Sequence, residues 1–184
     1  MMSKHLEAKS KFLSLVLRHK PGVIGLELDP HGWADVNRLV ELATAHGTPL
    51  SRELVEEIVA TSDKQRFALT PDRKRIRANQ GHSVEVDLQL APVRPPPLLF
   101  HGTASRFLAA IRDHGLMPRS RRHVHLSDSE ATAATVGARH GRPVVLRVAS
   151  EQMHAHGYHF YRSANGVWLT ATVPVHYLDG PTEA

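Results

Sequence analysis

A chain of 184 residues with 41% hydrophobic side chains has material for one large domain or two small ones with packed cores. It has no cysteine, which excludes disulfides and thiolate metal sites and fits a reducing cytoplasm. The net charge of +5 favours a polyanionic partner; there is neither an apolar signal core behind Met1 nor a bilayer-length apolar run, so a cytoplasmic protein without membrane contact is expected.

The first helix is predicted over residues 4 to 17, with Phe12, Leu13, Val16 and Leu17 as its apolar stripe. Pro21 cannot continue it, so Arg18, His19 and Lys20 fall at its end. An arginine fork grips phosphate oxygens, and an adjacent histidine can move a proton near neutral pH. Basic residues there would also simply complement the helix dipole. Residues 22 to 30 read as a loop or short strand. Asp35 caps a second helix through Val36, Leu39, Val40 and Ala43, which Gly47 stops. Ser51 caps a third, with Leu50 and Val55 as a hydrophobic staple. The period then changes from helical to alternating. Phe67 and Leu69 are answered by Ile76 and Ala78 across Thr70-Pro71-Asp72, a hairpin. Three helices and a hairpin describe a winged helix. Its wing carries Arg73, Lys74, Arg75 and Arg77, which are expected to meet nucleic-acid phosphates unless the hairpin is merely solvated.

Residues 84 to 90 read as a strand or an extended connector. The stiff run Pro95-Pro96-Pro97 marks the best boundary, dividing residues 1–91 from 92–184. Beyond it, strands alternate with short helices. A strand through Leu98-Leu99-Phe100 runs into His101-Gly102-Thr103, where the histidine and threonine suit a sugar hydroxyl and the glycine permits close approach of a ligand. A polar turn with Thr103 as a helix cap is the alternative. A helix with Phe107, Leu108 and Ile111 inward ends before Gly115. A strand over Val124 and Leu126 leads into Ser127-x-x-Glu130, read as a capping box for a helix to about Arg139. Residues 143–148 form a strand, and Asn165-Gly166 turns a last hairpin. The class is α+β. The 14 histidines are scattered without ligand spacing, so no metal site is expected. No phosphate loop of the usual nucleotide folds occurs.

Six motifs, in order, carry a resemblance. They are Leu17-Arg18-His19-Lys20-Pro21, Asp63-Lys64-Gln65-Arg66-Phe67, His101-Gly102-Thr103, His123-Val124-His125-Leu126-Ser127, Val136-Gly137-Ala138-Arg139-His140-Gly141 and Asn165-Gly166-Val167-Trp168-Leu169. The chain resembles the RNA 2′-phosphotransferase family, NAD-dependent enzymes of tRNA splicing, from about residue 4 to 178. The resemblance implies an N-terminal winged-helix RNA lobe and a C-terminal lobe of ADP-ribosyltransferase-like mixed β fold. It places the catalytic group on Arg18, His19, Arg66 and Arg139. It places NAD, consumed as a substrate, against His101, Gly102, Thr103, His125, Ser127, Asn165 and Val167. RNA would meet Lys20, Lys64, Gln65 and the wing residues. The His, Tyr, Glu signature of ADP-ribosyltransferases becomes His101, His125 and Val167. The acceptor is already an anionic phosphate and needs no carboxylate base.

The implied reaction has two steps. An RNA 2′-phosphate oxygen attacks the nicotinamide ribose, and nicotinamide leaves. The ribose 2″-hydroxyl then attacks phosphorus, leaving 2′-hydroxyl RNA and ADP-ribose 1″,2″-cyclic phosphate. Arginines can stabilise the second step without a metal, and His19 is the expected proton donor. The expected partners are RNA with an internal 2′-phosphate and NAD, bound by a monomer. Two rivals remain: an ADP-ribosyltransferase acting on other nucleic-acid phosphates, and a winged-helix DNA-binding regulator working as a dimer on paired half-sites.

Overall fold

The computed structural model describes residues 4–180 and is of mixed α+β class. Two compact units divide the chain, Met1–Gln89 and Leu90–Ala184, and each has its own hydrophobic core.

In the N-terminal unit, α1 (Lys4–Arg18) buries Leu13, Val16 and Leu17 and ends where Pro21 opens a short 3-10 turn. Helix α2 (Val36–Ala45) starts at Asp35, whose side chain accepts from the Arg38 N–H. Helix α3 (Arg52–Thr61) starts at Ser51, whose hydroxyl accepts from the Leu54 N–H. Both caps are those the spacing predicts, because each satisfies an N–H that the first helical turn leaves without a partner. Leu50 and Val55, the expected staple, are both buried. The hairpin pairs Phe67–Leu69 with Arg75–Ala78, in the register Leu69↔Ile76. A third strand was not legible in the sequence. Ala34–Asp35, named β1, adds to the far edge of the second hairpin strand, so the sheet order is β1 (34–35), β3 (75–78), β2 (67–69). Two residues are too short to show a period of two. Residues 84–90 form no strand; they run extended, held by hydrogen bonds such as Asp87 N–H to the Pro30 carbonyl at 2.8 Å.

In the C-terminal unit the proline run is hydrogen-bonded to later segments. Ser150 Oγ donates to the Pro96 carbonyl at 2.7 Å, and Val93 N–H donates to Phe160 at 2.8 Å. Strand β4 (Leu99–Ala104) pairs antiparallel with β6 (Pro143–Val148), which pairs with β9 (Leu178–Asp179). A second sheet runs β5 (Val124–Leu126), β8 (Trp168–Thr170), β7 (Phe160–Arg162). Helix α4 (Leu108–His114) ends at Gly115, whose φ of +74° suits glycine. Helices α5 (Glu130–Gly137) and α6 (Ser150–Ala155) complete the unit, and α6 was not read from the sequence.

Two local expectations need correction. His101-Gly102-Thr103 lies inside β4 rather than in a turn after it, so Thr103 is a buried strand residue and caps nothing. The cap of α5 is Ser129, whose hydroxyl accepts from Thr132 N–H at 3.3 Å. Ser127 instead exchanges both backbone hydrogen bonds with Phe100 at 2.8 Å, so its backbone is committed to a strand-like bridge.

Candidate functional site

In the N-terminal unit the segments that carry three of the expected catalytic residues, Arg18, His19 and Arg66, come together. Arg18 closes α1 and His19 follows it. The segment after β3 returns here: Ser83 N–H donates to the Arg18 carbonyl at 2.9 Å, and Ser83 Oγ lies 2.9 Å from His19 Nδ1. The Arg18 guanidinium carbon sits 5.9 Å from the centre of the Phe67 ring, directly after Arg66. Arg66 is fixed from β3: Asn79 N–H donates to the Arg66 carbonyl at 2.9 Å, and Asn79 Nδ2 donates to the Gln65 carbonyl at 2.6 Å. Gln65 itself holds a positive φ of 41°, an uncommon conformation for a residue other than glycine. Arg18, His19 and Arg66, distant in sequence, are therefore set on one small framework.

His82 belongs to the same corner and was missed from the sequence. It is buried, and its Nε2 has no hydrogen-bond partner among the described residues. Desolvation, then the charges of Arg18, His19 and Arg77, push its pKa down to about 4. The ring is neutral at physiological pH and leaves the positive charge here to the arginines. The only early signal was its place beside Gly81 in an otherwise polar stretch, which carries no period.

The wing arginines have partners within the chain. Arg73 pairs with Glu56 at 2.7 Å and Arg75 with Asp29 at 3.5 Å. Arg75 and Arg77 lie over the Trp33 ring at 5.7 and 4.6 Å. Lys74 is exposed at the hairpin end, and Lys20 and Lys64 are also exposed.

In the C-terminal unit, His101 Nδ1 lies 3.0 Å from the His125 carbonyl. A carbonyl only accepts, so Nδ1 carries the proton and Nε2 of the neutral ring is an acceptor, as a sugar hydroxyl requires. Desolvation lowers the His101 pKa against the opposing effect of that hydrogen bond, and nearby His140 lowers it further. Arg121 Nη1 donates to His125 Nδ1 at 2.9 Å. Desolvation and the neighbouring charge of Arg139 lower the Arg121 pKa. His101, His125, Arg121, Arg139 and His140 thus form one basic neighbourhood. Arg121 is a second residue that sequence reading missed; the signal was the run Arg119, Arg121, Arg122 just before β5.

Gly102 was expected to admit a ligand. A Cβ there would stand 1.7 Å from the Ala133 carbonyl oxygen, so the close approach is made by the backbone of α5. Gly137 reciprocates, its Cβ position 2.5 Å from the Thr103 carbonyl oxygen. Asn165 shapes the last hairpin: Ser163 Oγ donates to its Oδ1 at 2.6 Å, and Ser163 N–H donates to Val167 at 2.9 Å. Among the described residues no three His, Asp or Glu side chains are grouped to hold a metal ion, and no helix is long and apolar enough to cross a membrane.

Comparison with known proteins gives a consistent result. A family model described as RNA 2′-phosphotransferase, Tpt1 / KptA family, matches residues 4–172. A protein of Agrobacterium fabrum named "Probable RNA 2′-phosphotransferase" is 58% identical over 171 residues, 93% of this chain and 92% of its own. Proteins of the same name from Hahella chejuensis and Acaryochloris marina are 56% and 54% identical, each over 177 residues. Those alignments take in 96% of this chain and 95% and 98% of theirs.

Proposed function

The chain belongs to the RNA 2′-phosphotransferase family, and from that premise we propose that it transfers an internal RNA 2′-phosphate to NAD. The products are 2′-hydroxyl RNA, nicotinamide and ADP-ribose 1″,2″-cyclic phosphate. One observation carries the reading: the corner that brings the end of α1, the start of β2 and Ser83 together around Arg18, His19 and Arg66.

The N-terminal unit handles the phosphate. Arg18 and Arg66 supply planar forks of donors to phosphoryl oxygens. In the first step they hold an anion that is already nucleophilic, so positioning is the main requirement. In the second step charge accumulates on the phosphoryl group, and preorganised guanidinium groups stabilise it. His19 gives a proton to the departing 2′-oxygen. Three helices, with a two-residue strand between the first and second and a hairpin after the third that together make a three-stranded antiparallel sheet, support the winged-helix reading of this unit.

The C-terminal unit holds NAD, which supplies an electrophilic ribose carbon with nicotinamide as leaving group. The fit rests on His101, whose Nε2 is an acceptor of the kind a ribose hydroxyl needs. Arg121 and Arg139 provide positive charge for a pyrophosphate or the transferred phosphate. The hydrogen bond from Arg121 to His125, in a matched motif, supports giving Arg121 a share in that role beside Arg139. Two small antiparallel sheets without a Rossmann loop support the ADP-ribosyltransferase-like reading.

The test is incubation with NAD and an oligoribonucleotide carrying one internal 2′-phosphate. Mass spectrometry should show the three products, with no turnover when NAD is omitted. Release of inorganic phosphate, or loss of the 2′-phosphate without NAD, would refute the reading.

A further inference from the structure

His19 is held by a residue 64 positions away. Ser83 Oγ stands 2.9 Å from His19 Nδ1 and 3.5 Å from the Arg18 carbonyl oxygen, towards which its hydroxyl can donate. The backbone of the same segment secures that placement, because Ser83 N–H and Val84 N–H both donate to the Arg18 carbonyl, at 2.9 and 3.3 Å. Next to it, His82 is buried and anchors the segment. Ser83 itself is exposed, so its hydroxyl is not needed to fill the core.

We propose that Ser83 is a positioning residue whose Oγ accepts a hydrogen bond from His19 Nδ1–H and thereby makes Nε2 the nitrogen that serves the substrate. The proposal rests on His19 being the acid of the second step. The chain of donation runs from His19 Nδ1–H to Ser83 Oγ, and from the Ser83 hydroxyl to the Arg18 carbonyl. A hydroxyl can accept and donate at once, which is what the middle position requires. The acid form of His19 is the imidazolium, protonated on both nitrogens. As the ribose 2″-oxygen bonds to phosphorus and its hydroxyl proton passes to solvent, the bond between phosphorus and the RNA 2′-oxygen breaks with its electron pair on that oxygen, the Nε2–H bond of His19 breaks too, and its proton goes to the 2′-oxygen. The electron pair stays on Nε2. The ring is left neutral, with Nδ1–H still on Ser83, so the ring need not turn during the transfer.

This arrangement has a spectroscopic consequence. The neutral ring should carry its proton on Nδ1, whereas an unrestrained histidine side chain favours Nε2. Nitrogen-edited ring spectra of the full-length protein distinguish the two forms, with the His19 signals assigned by their loss in H19A. Wild type and S83T, which keeps the hydroxyl, should show Nδ1–H; S83A should shift to Nε2–H. S83A should also slow the second step about 3- to 10-fold, the order of the net worth of one hydrogen bond. The first step should be unchanged, so the ADP-ribosylated RNA builds up. In the H19A background the same substitution should cost nothing further, because both changes remove one interaction. An unshifted ring in S83A, or an equal slowing by S83A with and without His19, overturns the role of Ser83. A fully active H19A is a different result and overturns the assignment of His19 itself.

Discussion

Acid should weaken the N-terminal unit through His82. Its folded pKa of about 4 lies below the ordinary 6.5, so the folded ring resists a proton that the unfolded ring accepts. A group depressed in this way contributes its full stability above pH 6.5 and loses it as pH falls towards 4. The gap of about 2.5 pH units, at about 1.4 kcal/mol each, makes the whole loss roughly 3 kcal/mol. At pH 5 about 2 kcal/mol of it is already gone. Urea unfolding between pH 7 and pH 4.5 measures this, followed by Trp33 emission. The chain has two tryptophans, so a Trp168→Phe background confines the signal to the N-terminal unit. His82→Gln, uncharged throughout, should flatten the pH dependence by that amount; the difference between the two proteins removes every other titrating group. Identical pH slopes for the two proteins would refute the reasoning.

Other outcomes follow from the same geometry. Arg18→Ala, His19→Ala and Arg66→Ala should each accumulate the ADP-ribosylated RNA intermediate, resolved by mass in stopped reactions, because the second step depends on charge stabilisation more than the first; slow turnover with no intermediate would contradict the assigned roles. Arg121→Ala should impair activity at least as severely as Arg139→Ala, read as kcat/KM for NAD, and the reverse order would return the role to Arg139. His101→Ala should weaken NAD binding in calorimetry while RNA binding is kept. Neutralising Lys74, which is exposed at the wing tip, should lower the salt dependence of RNA binding by roughly one unit of slope or slightly less. Gly102→Ala should lower the thermal midpoint by many degrees, a loss of about 3 kcal/mol or more, because a Cβ meets the α5 backbone and not a side chain that can move.

The legible parts of this chain were those with a local physical signature. Asp35 and Ser51 cap helices where a short polar side chain precedes an apolar 3.6 period. The strand over 143–148 and both hairpins were legible from alternation and turn residues. What escaped had no such signature. A two-residue strand at Ala34–Asp35 cannot display a period, and Ser127 offers the spacing of a capping box that Ser129 fulfils. In the candidate site, Arg18, His19 and Arg66 were singled out through residue type and motif. Ser83, His82 and Arg121 were not, because each is tied to its neighbours only by folding: Ser83 is hydrogen-bonded to His19, His82 is buried where it feels the charge of Arg18, and Arg121 is hydrogen-bonded to His125. The proline run was read as a stiff connector, yet its carbonyls hydrogen-bond onto the C-terminal unit, a choice that composition does not reveal.

The crossing of β4 and α5 limits how this protein can change. Where Gly102 meets Ala133 and Gly137 meets Thr103, one main chain rests directly on another. Side chains act elsewhere as adjustable spacers, and point mutation can lengthen or shorten them. Here there is no spacer, so the separation of strand and helix is a constant of the backbone. The strand carries His101, and Arg139 follows the helix by two residues, so the offset between these two positions is inherited as a unit. Under the proposed function, a variant that accepts a bulkier nucleotide would therefore have to gain its space elsewhere, for instance in the turn around Asn165, where side-chain hydrogen bonds set the shape.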